Sequence, residues 1–236
     1  MPAKTILLFM NRLFSFLFII LWLSFWGCNN KKDKQYAINP DELWFDYQVT
    51  GKEGNDNLTI MLQYKYGGED GTAVAAGKVL LDGEIFPADS AAMTGIFYEL
   101  HKPIASFSGN HTLLFTGINK KQYKDSFNFQ PLLLVKPLTD TLQRNDLVFN
   151  LVGLDKEDYI SVLLTDTSFI NNGINRVDKP INGNLFISKN DLESLANGPV
   201  QLELVREQER MLKKGTKEIG RLLITFSLKR EFFLKD

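Results

Sequence analysis

Leu58-Thr59-Ile60-Met61-Leu62-Gln63-Tyr64-Lys65-Tyr66 alternates along its length. Leu58, Ile60, Leu62, Tyr64 and Tyr66 fall on one side, and Thr59, Gln63 and Lys65 on the other, with Met61 the exception. Successive side chains of an extended chain point to opposite faces, so this pattern predicts a half-buried strand. Working outward, Leu43–Val49 is aromatic and β-branched and reads as a partner strand, with Gly51–Asn57 turning the chain between them. Downstream, Asp82-Gly83 sits between apolar runs, a strong hairpin signal. His111–Thr116 and Tyr123–Phe129 form another strand pair around the turn Gly117–Lys121.

A second series follows Pro131–Pro137. Leu147, Phe149 and Leu151 alternate, Tyr159–Leu164 is apolar, and Asn182-Gly183 opens Asn184–Ile187. Val200, Leu202 and Leu204 alternate, as do Leu222, Ile224, Phe226 and Leu228. Lys213–Gly220 between them reads as a charged hairpin loop, and Arg206–Arg210 as its solvated shoulder. One segment is helical by its capping signals: Ser188 as N-cap, Asp191 three residues on, and Gly198-Pro199 as a stop.

The formal net charge of −1 gives no concentrated basic surface, so nucleic acid is not expected as a partner. A hydrophobic content of 44% and 18 Phe supply a core. The single Cys allows no internal disulfide, and with only two His it leaves too few ligands for a zinc site of the usual kinds. No metal and no cofactor is expected.

The single Cys has a different setting. Lys4 and Arg12 precede an uncharged run, Leu13–Gly27, which ends at Cys28 and gives way to Asn29-Asn30-Lys31-Lys32. A basic start, an apolar centre and a small residue before the cut are the grammar of an export signal. Gly27-Cys28 resembles the lipobox of bacterial lipoproteins, with Phe25 and Trp26 departing from its usual residues. That resemblance implies cleavage between Gly27 and Cys28, lipid (palmitate among the acyl chains) on Cys28, and a membrane anchor. The absence of Asp after the Cys points to the outer membrane, periplasmic or surface-exposed. An uncleaved single-pass helix is the alternative anchor.

Short strands with turns at regular spacing predict an all-β sandwich architecture. Gly109–Thr116, a turn and Tyr123–Phe127 resemble the last hairpin of immunoglobulin-like and fibronectin type III-like domains. The helical turn before the strand at 200–205 resembles the connection to the penultimate strand of such sandwiches. The expected organisation is a signal peptide (1–27), a lipidated Cys and tether (28–40), and two tandem immunoglobulin-like sandwiches (41–133 and 136–236), with one continuous sheet domain as the alternative.

Catalytic grammar is sparse. There is no G-x-S-x-G elbow, H-E-x-x-H or P-loop. His101 reads as a turn residue and His111 as the start of a strand. The acidic pairs Glu69-Asp70 and Glu157-Asp158 read as solvated turns. Trp44 and Tyr47 are the candidate ligand platform, although core packing is the simpler role for both. The function expected is a non-catalytic, lipid-anchored binding or assembly module with an envelope protein or polysaccharide as partner. A carbohydrate-binding accessory lipoprotein is the alternative, and an envelope hydrolase follows behind it.

Overall fold

The computed structural model describes residues 39–167 and 173–236. The signal segment, Gly27, Cys28 and the tether up to residue 38 lie outside the described residues, as does the Asn171-Asn172 turn. In chain order the strands are β1 (Leu43–Lys52), β2 (Asn57–Tyr66), β3 (Thr72–Ala73), β4 (Gly77–Leu81), β5 (Glu84–Ile85), β6 (Ala88–Ala91), β7 (Gly95–Pro103), β8 (Gly109–Gly117) and β9 (Gln122–Phe129). Beyond residues 130–132 come β10 (Leu133–Leu134), β11 (Thr141–Gln143), β12 (Leu147–Val152), β13 (Ile160–Asp166), β14 (Ile174–Asp178), β15 (Asn184–Ile187), β16 (Gly198–Lys214) and β17 (Lys217–Lys235). A single helical turn, α1 (Lys189–Leu192), carries the expected capping box between Ser188 and Asp191. The fold is all-β, built of stacked sheets joined by one long hairpin.

In the first sandwich, β1, β2, β7 and β6 lie side by side and face the sheet β5-β4-β8-β9. Aromatic rings fill the gap between the layers. Phe45 of β1 meets Phe115 of β8 edge-on at 5.3 Å, and Tyr64 of β2 lies 4.5 Å from Phe115. In the second sandwich, β13 and β14 face β10-β12-β15. Phe149, Leu151, Leu185 and Ile187 of that outer sheet are buried, as are Ile160, Val162 and Leu164 of β13.

The last hairpin belongs to both. β16 has 17 residues and β17 has 19, against about 5–6 for an ordinary strand. At ~3.4 Å per residue the pair is about 60 Å long. Near its base, β16 pairs with β13 from Asp166↔Val200 to Ile160↔Arg206. Near its tip, β17 pairs in parallel with β1 from Phe45↔Gly220 to Lys52↔Ser227. The result is one ten-stranded sheet that runs through both sandwiches. Residues 206–227 of the segment read as the second domain therefore lie in the first sandwich's sheet. The apolar alternation of β17 continues unbroken through Leu222, Ile224, Phe226 and Leu228, all buried, so one strand serves two cores.

Four sequence expectations change. Lys213–Gly220 is not a loop: the strands continue to a two-residue turn at Gly215-Thr216, where Gly215 takes φ 62°. Arg206 is not solvated; it is 1% exposed and points into the core. His101 is not in a turn but in β7, whose run Gly95–Pro103 mixes charged and apolar residues too evenly to signal a strand. Trp44 and Tyr47 do not form a platform. They are three residues apart in one strand and so point to opposite faces. Tyr47 is 3% exposed in the core, with its ring edge-on to Phe45.

Candidate functional site

β16 changes character halfway along. Its inward residues are Val200, Leu202 and Leu204, then Arg206, Gln208 and Arg210, then Leu212. Each of the three polar side chains reaches toward the opposite layer. Arg206 donates from Nη2 to the Gln130 carbonyl at 2.6 Å and from Nη1 to the Gly153 carbonyl. Gln130 lies where the first sandwich's chain leaves β9, and Gly153 follows β12, so one guanidinium clasps the crossing between sandwiches. Burial pushes the Arg206 pKa down, while Asp158 and Asp155 nearby favour its charge. Gln208 donates to Asp158 Oδ1 at 2.8 Å and to Asp155 Oδ2 at 3.0 Å. Arg210 donates from Nη2 to Asp125 Oδ2 at 2.5 Å and to the Ser126 carbonyl at 2.7 Å, bridging β16 to β9.

Beyond Arg206, no strand among the described residues pairs with the outer edge of β16. β9 pairs only with β8, so its far edge is open as well. Between these two edges lies a cleft of about 560 Å3. Phe127, Leu222 and Ile224 form its apolar floor. The loop Asp155–Tyr159 makes one wall, and Glu207 and Glu209 stand on the rim. Tyr159 is 53% exposed there, with the Lys179 ammonium 5.7 Å from its ring centre. Lys179 also pairs with Glu157 at 2.7 Å. Asp155, Asp158 and Glu207 make no ion pair within the described residues, which leaves the cleft acidic.

A second groove, of about 410 Å3, lies at the end of the first sandwich between Trp44, Tyr66 and the Gly67-Gly68 turn. Tyr66 is largely exposed, whereas the Trp44 indole nitrogen is shielded from water without a hydrogen-bond partner among the described residues. Beside Trp44, Asp46 is only 3% exposed although it lies on the sheet's outer face. Lys65 at 3.0 Å and Arg221 at 3.1 Å cover it. Burial pushes the Asp46 carboxyl up, but hydrogen bonds from Arg221 and Lys65 outweigh it and hold the pKa below the usual carboxylate value.

The chain reaches β1 at the same end. Lys121, Lys214 and Tyr123 all bond the Asp41 carboxylate, and Lys217 donates to its carbonyl at 3.1 Å. These contacts, Lys121 foremost, hold Asp41 well below the usual carboxylate range.

The two histidines sit in different settings. His111 has both ring nitrogens engaged, Nδ1 with Asp82 at 2.7 Å and Nε2 with the Phe107 carbonyl at 2.8 Å, and it stacks on Phe107 at 3.7 Å. His101 sits between Glu99 at 2.9 Å and Thr59 at 3.2 Å on an open sheet face. Among the described residues, no group of three or more His, Cys, Asp or Glu side chains is arranged to hold a metal. No helix among them is long and apolar enough to cross a membrane.

The Asp155–Asp158 wall and the Arg206–Arg210 rungs are the residues that reading the sequence missed. Their signal was present, as polar residues at 206, 208 and 210 inside an alternation that resumes at Leu212. It was masked by taking the charged run as a loop.

No protein-family model matches this chain, and no curated protein matches it. Solved structures that align with it include the tandem immunoglobulin repeats of Dlar, at 8% identity over 82% of this chain and 97% of that one, with a TM-score of 0.24. A titin immunoglobulin tandem aligns at 8% identity over 82% and 96%, with a TM-score of 0.24. A Bacteroides ovatus mixed-linkage glucan utilization locus protein, SGBP-B, solved in complex with a mixed-linkage heptasaccharide, aligns at 13% identity over 78% of this chain and 46% of that one, with a TM-score of 0.24. At these TM-scores the likenesses carry no argument about ligand or activity.

Proposed function

We propose that this protein is a lipid-anchored, non-catalytic binding or assembly module of the cell envelope. The observation that carries the binding role is the cleft between the free edges of β16 and β9, which joins an apolar floor to acidic walls. Anchoring is supported by Gly27-Cys28 after its apolar run. Intact-mass measurement of membrane-extracted protein tests the anchor. A chain starting at an acylated Cys28, lost in Cys28→Ser, is expected; a chain starting at Met1 contradicts it.

Carbohydrate binding is the second reading, favoured by the exposed Tyr66 beside Trp44 in the end groove. Here Tyr66→Ala is expected to abolish retention on immobilised envelope polysaccharide without lowering the melting temperature. Retention that survives this change removes the groove from consideration.

A further inference from the structure

We propose that the outer face of the sheet β10-β12-β15 seats a second copy of this chain, so that the protein forms a two-fold dimer through its second sandwich. This surface is separate from the cleft between β16 and β9, and its occupancy does not depend on what that cleft binds. An antiparallel sheet at a surface ordinarily turns polar side chains outward. Other outward faces here do so: Asp46, Lys65 and Arg221 lie on the long sheet of the first sandwich, and Glu203 pairs with Lys229 on the hairpin at 2.8 Å. Along β12, Phe149 and Leu151 point into the core, while Val148, Asn150 and Val152 point out. Phe186 of β15 stands beside Val148, and Leu133 of β10 beside Val152. Val135, whose N–H donates to the Asn150 carbonyl, closes the row. These five apolar side chains are each 38–55% exposed, and no charged residue takes an outward position on the three strands. With the exposed Ile181 at one end they bare about 500 Å2 of apolar surface, toward the upper end of the largest patch on an ordinary monomer.

The centre of the face selects the occupant. Asn150 and Asn184 stand opposite one another across β12 and β15, and the Asn150 amide donates to the Asn184 side-chain oxygen. That bond leaves the Asn150 side-chain oxygen and the Asn184 amide without a partner among the described residues, one acceptor beside one donor. A two-fold axis through the pair sets the acceptor of each copy against the donor of the other, so both are satisfied. A wholly apolar partner would strand that donor and acceptor. A charged partner would lose its hydration against Val148, Val152 and Phe186 with no counter-charge to replace it. A sugar finds one aromatic ring and few polar groups to orient it. A second copy meets none of these costs, since its own face is equally uncharged, and homodimer interfaces are the more apolar class. Each copy buries about 500 Å2 of apolar area before the polar rim is counted, and the rim brings the footprint toward the ~800 Å2 per partner of a stable interface.

The test is sedimentation velocity of the full chain in density-matched detergent across micromolar concentrations. A dimer that dissociates on dilution is expected. Phe186→Glu and, separately, Val148→Glu place a carboxylate on the shared face. Each is expected to weaken association by at least about tenfold while the circular dichroism stays that of the parent chain. Ile85→Glu, as exposed but on the first sandwich, is expected to leave association unchanged. In a Cys28→Ser background, Asn150→Cys supplies the only thiol, and mild oxidation is expected to give a covalent dimer. Met93→Cys in the same background, exposed on the first sandwich, is expected to give none. A monomer at every concentration overturns the proposal, as does a dimer that both glutamate variants leave intact. A monomeric Cys28→Ser chain that sediments with phosphatidylcholine vesicles, and ceases to in Phe186→Glu, assigns the face to lipid and also overturns it. Where both glutamate variants lose the parent's circular dichroism, the cross-link decides: no Asn150→Cys dimer, or an equal one from Met93→Cys, overturns the proposal.

Discussion

At the residue scale, two buried charges hold the sheet together in different ways. Arg206 satisfies two carbonyls from different sandwiches, and removing it leaves both unpaired in the core. Arg206→Ala is expected to destabilise by about 2–4 kcal/mol in a denaturant melt, since an orphaned buried polar group costs its desolvation. Arg206→Met also removes the clasp but keeps most of the volume, so it is expected to cost less than Arg206→Ala; a negligible loss in Arg206→Met would show that the clasp itself contributes nothing. Asp46 acts through pH. Its folded pKa lies below the unfolded value, so the stabilisation is complete above about pH 4 and is lost as pH falls through the folded value. Asp46→Asn is expected to lose about 1–3 kcal/mol at neutral pH, with the gap to the parent protein closing in acid. A gap that persists unchanged at low pH contradicts the role given to Lys65 and Arg221.

At the element scale, the strands that the sequence made legible are those with clean alternation. β2, β12 and the two arms of the last hairpin announce themselves, and the Asp82-Gly83 and Asn182-Gly183 turns carry the positive φ angles their residues suggest. β7 was hidden because its outward face mixes Phe97, Glu99 and His101 while its inward face holds Tyr98 and Leu100. The length of β16 was hidden for a related reason. Pattern reading treats charge as solvent exposure, whereas Arg206, Gln208 and Arg210 spend theirs on partners in the facing layer. The tip of the hairpin depends on close approach: a Cβ at Gly220 would lie 2.1 Å from the Phe45 carbonyl oxygen. Gly220→Ala is expected to push β17 off β1 at a cost of about 1–3 kcal/mol, lowering the melting temperature by several degrees. An unchanged melt would mean that β1 does not depend on β17.

At the scale of the whole molecule, an all-β architecture was legible from strand spacing, but the single hairpin that joins the strands on either side of Pro131–Pro137 was not. Pairing between β1 and β17 joins residues about 175 apart, and nothing local in either strand encodes it. One consequence concerns fragments. A chain of residues 41–133 lacks β17, so Tyr47, Val49 and Gly51 lose their strand neighbours Leu222, Ile224 and Phe226, and Phe129 loses its ring contact with Phe226. It is expected to show no cooperative melt, whereas a cooperative melt would make the first sandwich independent. The most direct measurement is hydrogen exchange of the full chain against denaturant, comparing β2 in the first sandwich with β13 in the second. Because β16 and β17 run through both cores, the slowest amides of the two strands are expected to open together, with the same free energy and the same denaturant dependence. Opening of β2 and β13 at clearly different denaturant concentrations would contradict the shared hairpin as the element that makes the two sandwiches one folding unit.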